Sequence, residues 1–160
     1  MSDIEPNLLV IWHSRTGAAE AMARAAAQGR ARLLAAADVS PADLLAAAGY
    51  IFVCPENLGT VSGAMKEMFD RCYYPVLGQI DGRPYATLIA AGSDGQGAQA
   101  QIDRIVTGWR LRRVADPVIV NLGAQRPEEI LAPKTVAEAD LQRCREVGEA
   151  LAEGIALGVF

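Results

Sequence analysis

Three times along this chain of 160 residues, an apolar stretch of strand length is followed by a polar turn containing glycine and then by a helical pattern. The apolar stretches cover residues 8–12, 50–54 and 85–91, and each predicts a buried strand. A weaker signal predicts a strand over 32–36, and another strand is expected over 117–121. Strands that alternate with helices are typical of parallel βαβ units, so the sequence predicts an α/β protein with a parallel sheet.

Helical patterns fill the intervals between these strands. Ser40-Pro41 begins a short helix over 41–48, because serine caps a helix and proline suits its first position. Apolar residues at helical spacing predict further helices over 64–72 and about 98–112, and a closing helix from about 138 onward. We expect the apolar stripes of these helices to face the sheet.

The turn after the first strand has the chemistry of an anion site. Ser14 and Thr16 supply hydroxyls, Arg15 supplies a guanidinium, and Gly17 has no Cβ at the start of an Ala-rich helix. The unpaired amides and the dipole at a helix start favour a phosphate. The alternative, that Ser14 or Thr16 is an ordinary N-cap, fits this stretch equally well.

The two later turns, residues 55–63 and 92–97, also combine glycines with polar side chains. In open doubly wound sheets, ligands bind outside the carboxyl ends of the strands where the strand order reverses, so we expect the three turns to meet in one crevice. The predicted architecture is a three-layer, doubly wound sheet of five parallel strands in the order 2-1-3-4-5.

The size and charge of the chain narrow the range of its partners. We expect a single domain over residues 1–160. A net charge of -4 and 51% hydrophobic residues are typical of a soluble globular protein, and they give no electrostatic case for nucleic acid or an anionic membrane. We therefore expect small molecules or proteins as partners, with no nucleic acid and no membrane.

The expected location is cytoplasmic. The N-terminal sequence has neither the basic region nor the apolar stretch of a signal peptide, and no apolar run is long enough to span a bilayer. Cys54, Cys72 and Cys144 lack the spacing of a disulfide framework or a zinc site, which predicts reduced and mostly buried thiols.

Several groups of residues carry a family resemblance that covers essentially the whole chain. They are Ser14-Arg15-Thr16-Gly17, Pro55-Glu56-Asn57-Leu58-Gly59, Ser62-Gly63-Ala64-Met65-Lys66 with Phe69-Asp70-Arg71, and Gly92-Ser93. Through them the chain resembles the flavodoxin-like FMN proteins, and within that superfamily the branch of NAD(P)H-dependent FMN reductases and quinone reductases. The resemblance implies FMN as the cofactor, NAD(P)H as co-substrate, and a small-molecule electron acceptor such as a flavin or quinone, or a redox protein.

The resemblance also implies which residues contact the cofactor. The phosphate would be held by Ser14, Arg15, Thr16, Gly17, Ala18 and Ala19. The pyrimidine side of the isoalloxazine would lie along Pro55, Glu56, Asn57, Leu58, Gly59 and Thr60. The other edge of the ring would be lined by Gly92, Ser93, Asp94 and Gly95. No catalytic side chain and no metal is implied, because the flavin itself carries the redox chemistry.

The sequence departs from the usual flavodoxin pattern in two ways. Ala19 stands where a hydroxyl residue often adds a hydrogen bond to the phosphate, and one missing neutral bond typically costs about 1 kcal/mol. The turns also lack the aromatic residues that commonly stack on the flavin in electron-carrier flavodoxins. An uncovered ring face leaves room for a second planar molecule.

Two side chains in these turns have a structural interpretation beside a functional one. His13, the only histidine, is expected to be structural or a supporting hydrogen-bond donor rather than a general base. Glu56 fits an exposed loop carboxylate better than a group that tunes the ring.

Residues after the second turn are also open to more than one interpretation. A solvated helix face or an intrahelical ion pair accounts best for Lys66, Asp70 and Arg71. Core packing, a cover over the site or the contact of a homodimer would each account for Tyr73, Tyr74 and Trp109.

Other ligand classes fit less well. Residues 95–100 match the G-x-G-x-x-A dinucleotide fingerprint, but Asp116 precedes a strand instead of closing one, and too little chain remains for a second mononucleotide half. The strand ends lack the acidic cluster of a phosphorelay receiver, and the Gly-Lys-Ser/Thr phosphate signature is absent. A flavodoxin-type electron carrier without its own substrate turnover stays the alternative to an oxidoreductase.

Overall fold

A computed structural model describes residues 7–160, so the expectation of no signal peptide in residues 1–6 lies outside the described residues. The strands are β1 (Leu8–Trp12), β2 (Arg32–Ala35), β3 (Gly49–Asn57), β4 (Thr60–Val61), β5 (Pro84–Ala91), β6 (Arg112–Arg113) and β7 (Val118–Asn121). The helices are α1 (Ala18–Ala26), α2 (Pro41–Ala46), α3 (Gly63–Val76), α4 (Gln96–Gly108), α5 (Pro127–Leu131) and α6 (Glu138–Leu157). Over residues 7–160, no helix is both long enough and apolar enough to cross a membrane.

The parallel part of the sheet runs in the order β2-β1-β3-β5-β6, and β7 also pairs with β5. With β4, which pairs antiparallel with β3, the sheet has seven strands over residues 7–160, and the predicted number of five is wrong. The place expected for one strand beyond β5 is shared by β6, which pairs with Pro84–Tyr85, and β7, which pairs with Leu88–Ala91. Pro117 lies between these two short strands and has no amide hydrogen to donate to a ladder.

The strand β4 was not predicted, and it forms a hairpin with β3 inside the turn predicted over 55–63. The strand β3 continues to Asn57, the chain reverses at Leu58 and Gly59, and β4 returns antiparallel to β3. Both reversing residues have positive φ, 53° and 75°, as in the two-residue turns that match the twist of a hairpin. The loop predicted here is therefore a β-hairpin, and Ser62 alone separates it from α3.

The helices near the far edge of the sheet differ from the predictions in two ways. The helix predicted to about residue 112 ends at Gly108, because Arg110 adopts a left-handed φ of 59° and Arg112 enters β6. The segment after β7, where no helix was predicted, contains α5, in which Pro127 occupies the first turn and the Glu129 carboxylate accepts from the amide of Arg126. The other predicted strands and helices are confirmed to within a few residues at their ends.

Helices cover both faces of the sheet, as the apolar stripes predict. On one face, α2, α3 and α4 pack on β1, β3 and β5 through a cluster that includes Phe52, Phe69 and Trp109. On the other face, α1 and α6 pack through Met22, Cys144 and Leu151. All three cysteines are buried and unbridged, which confirms their assignment as free thiols.

Candidate functional site

The turns after β1, β3 and β5 converge on two cavities at the carboxyl edge of the sheet. One cavity has a volume of about 50 Å³ and the other about 260 Å³. Both are lined by Arg15, Glu56, Asn57, Gly92, Ala124 and Ile130. We call these two cavities the crevice. The expectation that the three turns meet is confirmed.

Most of the residues expected to contact the cofactor line the crevice. The smaller cavity adds Ser14, Thr16, Ala18 and Pro55. The larger cavity adds Leu58, Gly59 and Ser93. The lining of the two cavities does not include Gly17, Ala19, Thr60, Asp94 or Gly95. Ala19 is buried on the inner side of α1, which explains its absence from the lining, and contact of each of these residues with a cofactor stays a prediction.

The N-terminus of α1 opens into the smaller cavity with its donors available. Gly17 precedes the helix with a φ of 101°, and its amide donates to Ser14 Oγ at 3.0 Å. Within residues 7–160, no side chain accepts from the amides of Ala18 or Ala19, and no carboxylate pairs with Arg15. A helix start with free amides beside an unpaired guanidinium favours an anion.

The N-terminus of α4, at the same edge, is closed by a side chain from another turn. The Glu56 carboxylate accepts from the amide of Gly95 at 2.9 Å through Oε1, and from the amide of Ala98 at 3.0 Å through Oε2. Glu56 is therefore a helix cap rather than an exposed loop carboxylate. At this helix start the amides of Gly95, Gln96 and Ala98 already donate to carboxylates, which argues against a pyrophosphate bound at the dinucleotide fingerprint over 95–100.

Sequence reasoning missed a fourth segment of the crevice, which follows β7. It contributes Leu122, Ala124, Ile130 and Lys134 to the lining. The amide of Lys134 donates to Thr16 O at 2.9 Å, which ties this segment to the first turn. Lys134 Nζ donates to the carbonyls of Glu129, Ile130 and Ala132 at the end of α5. Pro127 and Pro133 were the only local signals here, and neither indicates where the loop folds.

His13 lies behind the first turn and has a structural partner. Its Nδ1 shares a hydrogen bond of 2.9 Å with Ser62 Oγ, and Ser62 is fully buried beside the Cys54 thiol. Burial, and then the Arg15 guanidinium, lower the pKa of His13 from its ordinary value of 6.5. Burial raises the pKa of Cys54 to about 12, so this thiol stays protonated. These contacts favour the structural interpretation of His13.

The charged residues on α3 make local contacts. Lys66 pairs with Asp70 at 2.6 Å, and Arg71 pairs with Glu67 at 3.0 Å. Arg71 also donates to the carbonyls of Val39 and Ala36, which joins α3 to the segment after β2. The interpretation of Lys66 and Asp70 as an intrahelical ion pair is confirmed, and Arg71 additionally positions the chain.

The aromatic residues near the ends of α3 and α4 divide between core and surface. Trp109 is fully buried, stacks on Tyr73 and donates through Nε1 to the carbonyl of Tyr73 at 3.0 Å. Tyr74 is exposed at the end of α3. Core packing therefore accounts for Trp109 and Tyr73, and a homodimer contact through Tyr74 stays a prediction.

A larger cavity of about 630 Å³ lies at the opposite end of β1. It is lined by the start of β1, by residues 28–31 after α1, and by the C-terminal half of α6. Its position is away from the carboxyl ends of the strands, where ligands of open α/β sheets bind. We therefore place the candidate site at the crevice despite the smaller volumes there.

The sequence matches a protein family and a curated relative. Residues 35–125 match the family of NADPH-dependent FMN reductases. A flavodoxin from Aquifex aeolicus (strain VF5) is 30% identical over 168 residues, an alignment that covers 95% of this chain and 88% of the relative. The matched region contains the second and third turns of the crevice.

Solved structures share the fold. A flavodoxin from the domain Archaea superposes with a TM-score of 0.75 at 17% identity, covering 93% of this chain and 98% of the other. A WrbA-like flavodoxin from Agrobacterium tumefaciens superposes with a TM-score of 0.71 at 22% identity, covering 95% of this chain and 98% of the other. At these identities the likeness supports the fold: a flavodoxin-like α/β architecture with a parallel sheet.

Proposed function

Since the chain belongs to the flavodoxin-like FMN proteins, we propose that it binds one FMN in the crevice and acts as an oxidoreductase that passes electrons from NAD(P)H to a flavin or quinone acceptor. The observation that carries this proposal is the convergence of the three turns on one crevice, with hydroxyls, free amides and a guanidinium at one end.

The residues at the phosphate end suit a phosphate monoester. Ser14 and Thr16 supply hydroxyl donors, the amides of Ala18 and Ala19 have no side-chain acceptor among residues 7–160, and Arg15 supplies a positive charge. Hydrogen bonds to a charged acceptor are stronger than those between neutral groups, which suits this set to a dianion. These groups would hold the phosphate of FMN.

The ring end of the crevice suits a flat group. Gly92 has no side chain, and a Cβ there would lie 2.4 Å from the carbonyl oxygen of Ala124, so the two segments approach closely at this point. Asn57 and Gly59 line the same larger cavity as Gly92. FMN, when bound, exchanges electrons with nicotinamide and acceptors, and the chain's contribution is to orient the ring and limit its exposure to water.

The side chains at the mouth of the larger cavity are aliphatic. Leu58 is fully exposed at the tip of the hairpin, and Ile130 is exposed on the opposite segment. Because no aromatic side chain lines the crevice within residues 7–160, a ring face is left for a second planar molecule. This supports turnover with NAD(P)H.

The 30% identity to a protein named flavodoxin supports a second candidate function. In that case the chain would carry electrons between redox proteins, with the same FMN in the same crevice. The difference between the two functions is whether NAD(P)H is oxidised at the site.

The first experiment is the colour and chromophore of the purified protein. We expect a yellow protein that releases FMN on denaturation, identified by chromatography against FMN and FAD standards. Apoprotein that stays colourless and takes up no added FMN would contradict the proposal. Arg15→Gln is expected to lose FMN, whereas Arg24→Gln, which removes an exposed arginine paired with Glu20 on the same helix, is expected to keep it.

The second experiment separates enzyme from carrier. Oxidation of NADPH and NADH is followed at the nicotinamide absorbance with a quinone or free flavin as acceptor. We expect catalytic turnover with at least one pair. FMN-loaded protein that oxidises neither nucleotide with any acceptor would favour the carrier.

A further inference from the structure

Glu56 joins two of the three turns of the crevice through its side chain. The residue lies on β3, near the end that turns into the hairpin, and both of its carboxylate oxygens accept amide hydrogens at the start of α4. The carboxylate charge is favourable there, because it faces the positive end of the helix dipole. Bonds from amides to a carboxylate are also stronger than bonds to a neutral acceptor.

Two further contacts hold the hairpin of residues 56–61 against α4. The amide of Val61 donates to Gln101 Oε1 at 2.6 Å. A Cβ on Gly97 would lie only 2.0 Å from the carbonyl oxygen of Gly59, so the hairpin backbone rests directly on the helix. Contacts at Glu56, Gly59 and Val61 therefore fix the hairpin along its length.

The hairpin carries the residues that border the larger cavity from this side. Asn57, Leu58 and Gly59 line that cavity together with Arg15 of the first turn and Ser93 of the third. Leu58 is fully exposed and makes no packing contact that would position the tip. The position of the tip relative to the α1 N-terminus thus depends on the contacts with α4.

We propose that Glu56 is a positioning residue for the ring of the bound flavin. By capping α4 it holds the hairpin at a fixed distance from the α1 N-terminus, and so it sets the affinity for the ring while leaving the phosphate end unaffected. The inference rests on the proposed function, because it requires a flavin in the crevice.

The charge of Glu56 provides a readout that a purely structural role would not change. It is the one carboxylate among the residues that line the two cavities. A negative charge beside the ring disfavours the anionic reduced flavin, so removal of that charge is expected to raise the reduction potential.

The central test compares Glu56→Gln with Gly97→Ala and with a matched control. Glu153→Gln makes the same chemical change on the exposed side of α6, far from the crevice. Apoproteins are titrated with FMN, with riboflavin, which lacks the phosphate, and with inorganic phosphate. We expect Glu56→Gln and Gly97→Ala each to lower the affinity for FMN and the affinity for riboflavin by the same factor, about tenfold or more. The affinity for inorganic phosphate is expected to stay unchanged.

The reduction potential of the bound FMN distinguishes the effect of the hairpin position from the effect of the Glu56 charge. We expect it to rise in Glu56→Gln, and to stay at the wild-type value in Glu153→Gln. Gly97→Ala displaces the hairpin and keeps the carboxylate, so it is expected to lack that rise. Unchanged riboflavin affinity in Glu56→Gln would overturn the proposal. So would an equal loss of phosphate binding, because the whole edge would then have been disturbed.

Hydrogen exchange in the apoprotein tests the hairpin without any flavin. We expect faster exchange over residues 57–61 in Glu56→Gln than in wild type or Glu153→Gln. Wild-type exchange rates in Glu56→Gln would refute the positioning role. A wild-type protein that binds no flavin refutes the proposed function instead, so the two failures are distinguishable.

Discussion

Two helices begin side by side at the carboxyl edge of the sheet, each after a glycine with a left-handed backbone. Gly17 before α1 has a φ of 101°, and Gly95 before α4 has a φ of 98°. The backbone geometry is nearly the same, yet Ala18 at the start of α1 lines a cavity, while the amides of Gly95 and Ala98 at the start of α4 are bonded to Glu56. A helix N-terminus is therefore an anion site only if no side chain of the protein has reached it first.

Because of this difference, the crevice would bind one phosphate group of a ligand but not a second one. The start of α1 offers hydroxyls, amides and Arg15, whereas the start of α4 offers a carboxylate that repels anions. Under the proposed function, the crevice would have one phosphate end and one ring end, which suits a mononucleotide. Three predictions test this asymmetry.

The largest effect is expected at the open helix. The combined variant Ser14→Ala with Thr16→Ala removes two hydroxyl donors and is expected to weaken FMN binding by about 4 kcal/mol, roughly a thousandfold. Fluorescence titration of the apoprotein gives the dissociation constant. Riboflavin affinity should stay the same, because riboflavin has no phosphate. Equal FMN affinity in wild type and variant would place the phosphate elsewhere.

Substitution of the two glycines by alanine is expected to lower the free energy of unfolding by different amounts. Ala at either position has to adopt a left-handed φ, which costs about 1–2 kcal/mol. In Gly95→Ala the new Cβ would also lie 2.5 Å from Ile119 Cγ2, while in Gly17→Ala its nearest neighbour is Lys134 O at 3.8 Å. We expect a loss of about 3 kcal/mol for Gly95→Ala against about 1.5 kcal/mol for Gly17→Ala.

Urea unfolding of the two apoprotein variants measures this difference. If Gly17→Ala proved the more destabilising, the tight packing would lie at the start of α1, and the contrast between an open and a closed helix would not hold.

The smallest effect is the pH dependence contributed by His13 behind the open helix. Burial and Arg15 lower the pKa of His13 in the fold from 6.5, so the unfolded chain takes up the proton first as the pH falls. The stability associated with neutral His13 is present above pH 6.5 and is lost as the pH falls below it. We expect the free energy of unfolding to decrease between about pH 7.5 and 5.5.

The variant His13→Gln is the control for this titration, because the chain has one histidine. Its stability should vary less over that range, even though its absolute value changes with loss of the bond to Ser62. An identical pH slope in variant and wild type would show that His13 is not the titrating group.

Several features of the site were predictable from sequence because their signals are local. Ser40 caps α2 as predicted, since its hydroxyl accepts from the amide of Asp43. The glycines and polar residues after β1, β3 and β5 identified the turns that line the crevice. The hairpin was missed, because Leu58 is a residue type that rarely adopts positive φ.

The order of strands and helices, and the edge at which a ligand would bind, were determined by the sequence alone, since apolar runs and turn residues act over a few neighbours. The tertiary structure decided which donors stay available at that edge. Glu56 and Gly95 are 39 residues apart, and only the path of the chain brings the carboxylate to the helix. The same holds for Lys134 beside Thr16 and for the division of the last strand into β6 and β7. Contacts between distant segments depend on how whole elements pack, and no local pattern encodes that packing.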